Sequence, residues 1–159
     1  MTQIVVVSGN PRPGSRTSVL ATAVGEALSD DPPTVLEVGG LGAGLLTPGD
    51  PATAAAVTAM READLLVIAT PTYQGSYTGI LKVLLDQLPA QALAGKRAVP
   101  VVTAGIAPQA AAAEALLRQL LVELGAEVLP GVPVVEAELG ESRAIADRYA
   151  AALSGSTAS

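Results

Sequence analysis

The chain has 159 residues, a formal charge of -6 at pH 7, and neither Cys nor His. Those two absences exclude disulfides, thiolate catalysis, a Ser-His-Asp triad and nearly all catalytic zinc sites. The acidic balance argues against nucleic acid and against an anionic membrane, since both select a basic surface.

Half of the residues are hydrophobic, yet the only aromatic residues are three Tyr, so the core must be built from Val, Leu, Ile and Ala. The first strand is expected at "QIVVVS" (3–8), a short run apolar on both faces. Its early start leaves no room for a signal peptide, and no apolar run approaches the ~20 residues that span a bilayer, so a cytoplasmic protein is expected. A helix over about 16–30 follows, with Val19, Leu20, Val24 and Leu28 on one face. "PTVLEV" (33–38) reads as the second strand, "GGLGAGLLTPGDP" (39–51) as a Gly-rich loop, and 52–62 as a helix. "ADLLVIAT" (63–70) is the third and most hydrophobic strand, followed by a helix over "TGILKVLLDQL" (78–88). "RAVPVVTAG" (97–105) is the fourth strand. The helix over 108–124 is closed by Gly125, where a left-handed cap is expected. Residues 126–135 hold a short fifth strand interrupted by Pro130 and Pro133, residues 137–153 the last helix, and "SGSTAS" a frayed tail.

Strands alternating with helices predict an α/β fold with a parallel sheet covered on both faces. In such a sheet, ligands bind beyond the carboxyl ends of the strands. Three loops fall at that edge. The first, "SGNPRPGSRTS" (8–18), runs from a strand into a helix N-terminus, an arrangement that aims backbone N–H groups at an anion. Ser8, Asn10, Ser15, Thr17 and Ser18 add hydroxyl or amide donors, and Arg12 and Arg16 add charge. Neither a Walker A lysine nor a dinucleotide glycine fingerprint is present. Mostly side-chain donors suit a terminal phosphate monoester; the alternative is an ordinary capped turn. The second loop, "TPTYQGSYTG" (70–79), holds two of the three tyrosines, which would suit a flat aromatic ligand or would simply fill space beneath the loop. The third, "TAGIAPQ" (103–109), has small residues that permit close approach to the backbone. Lys82 and Asp86, four apart on a helix, suit a surface ion pair or an interface.

Taken together, "SGNPRPGSRTS", "PTYQGSYTGILKVLLDQLP" and "TAG" resemble the NADPH-dependent FMN reductases of the flavodoxin-like fold. The resemblance is nearest to the branch that supplies reduced FMN to sulfonate monooxygenases, and it extends to about residue 135. It implies a three-layer α/β sandwich with a five-stranded parallel sheet in the order 2-1-3-4-5. A single FMN-binding domain would cover 1–153, with 154–159 a disordered tail. The phosphate would be held by the first loop, through Ser8, Asn10, Arg12, Ser15, Thr17 and Ser18. The isoalloxazine would lie along Pro71, Thr72, Tyr73, Gln74, Gly75 and Ser76, with Thr103, Ala104 and Gly105 at its other edge. NADPH or NADH would stack on the exposed flavin face and deliver hydride to N5, so that no protein side chain is the catalytic group. Free flavin, a quinone or a flavin-dependent monooxygenase would take the electrons, and the assembly would be a homodimer or homotetramer. The sulfonate branch carries an extra Tyr that widens the helix after the third loop. "AAAAEALLRQLL" has no Tyr, so a regular helix and a retained FMN are expected here. The competing readings are a flavodoxin-like electron carrier without a nicotinamide site and a biosynthetic protein that reuses the fold.

Overall fold

The computed structural model describes residues 2–157. Four main strands, β1 (Ile4–Ser8), β2 (Thr34–Glu37), β3 (Leu65–Pro71) and β4 (Arg97–Ala104), lie side by side in the order β2-β1-β3-β4, all parallel. Alternation along β1 shows how the layers form. Ile4 and Val6 face Leu20, Ala21 and Val24 of α1 (Arg16–Ala27), with Ile145 and Ala146 of α5 (Ser142–Thr157) in the same layer. Val5 and Val7 face the opposite layer, built from Met60 of α2 (Pro51–Glu62), Leu81, Leu84 and Leu85 of α3 (Gly79–Leu85), and Leu117 and Leu121 of α4 (Ala107–Glu123). All seven residues of β3 are buried, consistent with its continuous apolar sequence. Each fully buried Leu, Ile or Val there contributes roughly 1.5–3 kcal/mol of transfer free energy. This is the expected flavodoxin-like sandwich.

The fifth strand differs from expectation in its continuity. It consists of two pieces, β5 (Glu127–Val128) and β6 (Val132–Val135), both paired with β4. Val128 lies opposite Ala98 and Val132 opposite Val101, so the edge carries one residue more than β4 between the two pairings, as in a bulge. Pro100 accounts for the position of the break. Ala98 O accepts from Leu129 N at 2.8 Å, so Ala98 turns its backbone toward this edge. Pro100, two residues on, turns the same way and has no N–H to donate.

Two further corrections concern segments read as irregular. The Gly-rich stretch after β2 is wound into 3₁₀ turns over Val38–Leu46, kinked at Gly42, where φ is 53° and ψ is -137°. Val38 and Leu41 are three apart and share a face in a three-residue turn, so the winding brings both against the core. The last helix runs to Thr157, through residues 154–157 that were expected to fray; residues 158 and 159 lie outside the described part.

Local signals fix the other helix ends. Asp50 caps α2 by accepting from Thr53 N at 2.9 Å, and Pro51 occupies the first turn. After α4, Gly125 takes φ 95°, and its N–H and that of Ala126 reach back to Val122 O and Leu121 O, the Schellman closure that the Gly predicted. Residues 107–123 form an uninterrupted α-helix, as the absence of a Tyr there led us to expect.

Candidate active site

The first loop is fixed at both ends before any side chain meets a ligand. Gly9 N donates to Ala69 O at 2.7 Å, tying the loop to β3. A Cβ on Gly9 would come within 2.9 Å of Leu81 Cβ, so only glycine allows this approach to α3. Asn10 Oδ1 accepts from Arg12 N at 2.9 Å and folds the chain back. Ser15 caps α1, its Oγ accepting from Ser18 N at 3.2 Å. The N-terminus of this 12-residue helix therefore opens at the loop. Arg12 and Arg16 are exposed, and neither is paired with a carboxylate among the described residues.

The second loop has a different construction. Tyr73 N donates to Ser76 O at 2.9 Å and Ser76 N to Tyr73 O at 3.2 Å. The two residues between, Gln74 and Gly75, have φ of 54° and 79°. Positive φ at both central positions is the signature of a type I′ turn, which glycine tolerates readily and Gln only at some cost. The turn leaves Tyr73 48% exposed.

Five threonines stitch the loops together. Thr78 Oγ1 donates to Gly9 O at 2.7 Å, and Thr78 N donates to Thr70 Oγ1 at 3.0 Å. Thr72 Oγ1 donates to Thr103 O at 2.9 Å, and the hydroxyls of Thr17 and Thr103 are 3.1 Å apart. Between the loops lies a cleft of about 420 Å³. Asn10, Arg12, Ser15 and Thr17 line it from the first loop, Pro71 and Tyr73 from the second, and Thr103 from the third.

The remaining expected residues lie behind or beside this cleft. Ser8 and Ser18 are buried with their hydroxyls 2.6 Å apart. Thr72, Gln74, Gly75 and Ser76 form or flank the type I′ turn. Ala104 is buried at the end of β4, and Gly105 is exposed just beyond it. Sequence reasoning missed Pro13, Gly14, Glu136 and Leu139, which also line the cleft, and had noted Arg16 only as a charge in the loop. Glu136 and Leu139 come from the turn that follows β6, and nothing in their local sequence marks them. Glu37 was also missed: it ends β2 directly beside Ser8, and its carboxylate accepts from Ser18 Oγ at 2.7 Å and from Gly14 N at 2.5 Å.

Titratable groups outside the cleft are few and explicable. Lys82 Nζ lies 2.6 Å from Asp86 Oδ1 on the exposed side of α3, a hydrogen bond that raises the lysine pKa. This is a solvated pair that water and salt screen. Tyr149 is half-buried, and burial pushes its hydroxyl up to about 12, against a smaller lowering from Arg118. That hydroxyl donates to Pro130 O at 2.6 Å, inside the break between β5 and β6. No helix among the described residues is long and apolar enough to cross a membrane.

Comparison with known proteins gives this geometry a family. The profile of the NADPH-dependent FMN reductases matches residues 2–139. An FMN reductase (NADPH) from Escherichia coli K12 is 34% identical over 139 residues, covering 82% of this chain and 71% of that protein. The NADH-dependent FMN reductase SfnF of Pseudomonas fluorescens Pf0-1 is 35% identical over 148 residues, covering 87% and 79%. Among solved structures, the apo form of the NADH:FMN oxidoreductase EMOB superposes with a TM-score of 0.80 at 32% identity, over 96% of this chain and 90% of that one. The chain belongs to the NADPH-dependent FMN reductase family, and is an NAD(P)H-dependent flavin oxidoreductase.

Proposed function

We propose that the cleft holds FMN with its phosphate in the first loop and its ring beside Pro71 and Tyr73. The observation that carries this reading is the polarity of the cleft. One end gathers a helix N-terminus and two guanidinium groups that have no acidic partner among the described residues; the other offers a proline and a half-exposed tyrosine. That donor set fits a phosphate monoester joined to a flat heterocycle. When bound, FMN supplies the hydride-accepting centre, which explains how a chain without His or Cys catalyses a reaction. The protein's part is to orient: Thr103 and Thr72 fix the third loop against the second, and the type I′ turn presents Tyr73.

The regular α4 favours FMN as a retained group that passes electrons to a second small acceptor such as a quinone. The experiment is direct. Protein desalted after incubation with FMN should remain yellow, bleach with NADPH or NADH under anaerobic conditions, and show ping-pong kinetics with a quinone. Release of reduced FMN in an ordered mechanism would instead assign supply of a partner monooxygenase. No oxidation of NADPH or NADH at all would favour the electron carrier. We place the protein in the cytoplasm, where NAD(P)H is available.

We also assign a homo-oligomer. Of the apolar residues on the helix after the second loop, Leu81, Leu84, Leu85 and Leu88 are buried within the chain itself. An uncovered apolar surface lies on α4, where Leu116 is 41% and Val122 57% exposed beside Tyr77. A second copy of the chain would cover it, and light scattering at micromolar concentration should give a dimer or tetramer mass. Val122→Glu should reduce that mass.

A further inference from the structure

Glu37 stands at the back of the first loop, and the protons it accepts decide which way the loop's hydroxyls point. A carboxylate can only accept. Glu37 Oε1 is 2.7 Å from Ser18 Oγ, so the single hydroxyl proton of Ser18 is directed to it. Ser18 Oγ is also 2.6 Å from Ser8 Oγ and 3.1 Å from Ser15 Oγ. With its own proton committed, Ser18 can only accept from these two. Ser15 Oγ in turn accepts from Ser18 N at 3.2 Å. The hydroxyl protons of Ser8, Ser15 and Ser18 are therefore all drawn inward, toward the carboxylate. Ser15 lines the cleft, yet its proton points away from it.

We propose that Glu37 is a positioning residue that limits how much of the flavin grip the phosphate carries, by turning the Ser15 hydroxyl away from the cleft and placing a negative charge behind the anion site. This rests on the reading that the first loop receives the FMN phosphate. The consequence is a preference for FMN over riboflavin that is weaker than the loop's full set of donors would give.

An isosteric change reverses the proton order. In Glu37→Gln, the amide oxygen can still accept from Gly14 N while the amide N–H₂ donates to Ser18 Oγ. Ser18 is then free to give its own proton to Ser15, and the Ser15 proton is released toward the cleft. One hydrogen bond to a charged phosphate oxygen is gained and one nearby negative charge is lost, which together should tighten FMN about tenfold.

The test measures dissociation constants for FMN and riboflavin by flavin fluorescence in four proteins: wild type, Glu37→Gln, Ser15→Ala and the double variant. Thermal unfolding of each checks that the fold is kept. The expected result is an FMN-to-riboflavin preference that rises about tenfold in Glu37→Gln. Riboflavin affinity should be unchanged, and most of the gain should disappear in the double variant. A merely structural role for Glu37 predicts that FMN affinity falls or that both ligands change together, and either outcome overturns the proposal. So does a gain that survives the removal of Ser15. If wild type shows no preference for FMN over riboflavin and Arg12→Ala changes neither, the phosphate placement itself fails, a result distinguishable from failure at Glu37.

Discussion

The first and second loops meet in one cleft but are shaped by different forces. The first is organised by side chains: Asn10 folds it, Ser15 caps its helix, and Glu37 gathers its hydroxyls from the neighbouring strand. The second is organised by backbone: a type I′ turn closed between Tyr73 and Ser76, with Gln74 and Gly75 at positive φ. On the proposed placement of FMN, the difference implies that the phosphate is recognised by charge and proton direction, and the ring by shape. Disturbing the first loop should therefore separate phosphorylated from unphosphorylated flavin, and disturbing the second should not.

The largest effect should come from the support of the first loop. A Cβ on Gly39 would run into the Pro11 carbonyl oxygen, a backbone atom that cannot swing aside. Gly39→Ala should cost about 3 kcal/mol or more of stability by overpacking and should impair FMN binding more than riboflavin binding, as read by denaturant unfolding and flavin titration. Equal loss of both ligands would show that the two loops yield together.

Next in size is Arg12→Ala. A charge-assisted contact to phosphate is worth ~1.5–3 kcal/mol, so FMN should weaken roughly ten- to a hundredfold while riboflavin is nearly unaffected. On the other side of the comparison, Tyr73→Ala removes a ring contact worth about 0.5–1.5 kcal/mol beyond its buried area. Both flavins should weaken by the same factor. A selective effect on FMN would erase the distinction drawn between the loops.

The smallest effect lies outside both loops and serves as their baseline. The Tyr149 hydroxyl titrates near 12 in the folded protein and near 10 in the unfolded chain. Between those values the folded state binds the extra proton, so stability should fall as pH rises from about 10 to about 12 and level off beyond. Tyr149→Phe should flatten that slope in thermal melts and cost about 1 kcal/mol at neutral pH through the lost bond to Pro130 O, with both flavin affinities unchanged.

Much of this organisation is written locally in the chain. The apolar run over Leu65–Pro71 marks a strand buried on both faces, and Ser15 and Gly125 mark helix ends because caps act over three or four residues. The cleft residues of the first loop were legible for the same reason: a strand, a hydroxyl-rich turn and a helix follow one another without interruption. Glu37, Glu136 and Leu139 were not legible. Glu37 reaches the loop only through the β1–β2 pairing that sets it beside Ser8, and Glu136 and Leu139 arrive through the pairing of β6 with β4. The 3₁₀ winding of Val38–Leu46 was hidden behind its glycines, since its hydrophobic contacts form only against the finished core.

The break in the edge strand at Pro100 has a mechanical consequence. Its exposed carbonyls are already held from outside, Leu129 O by Arg118 at 2.9 Å and Pro130 O by Tyr149. The edge is thus two short zippers sharing a riveted seam. The one that ends in Val135 leads directly into the wall carrying Glu136 and Leu139, and the rivets lie between it and Val128.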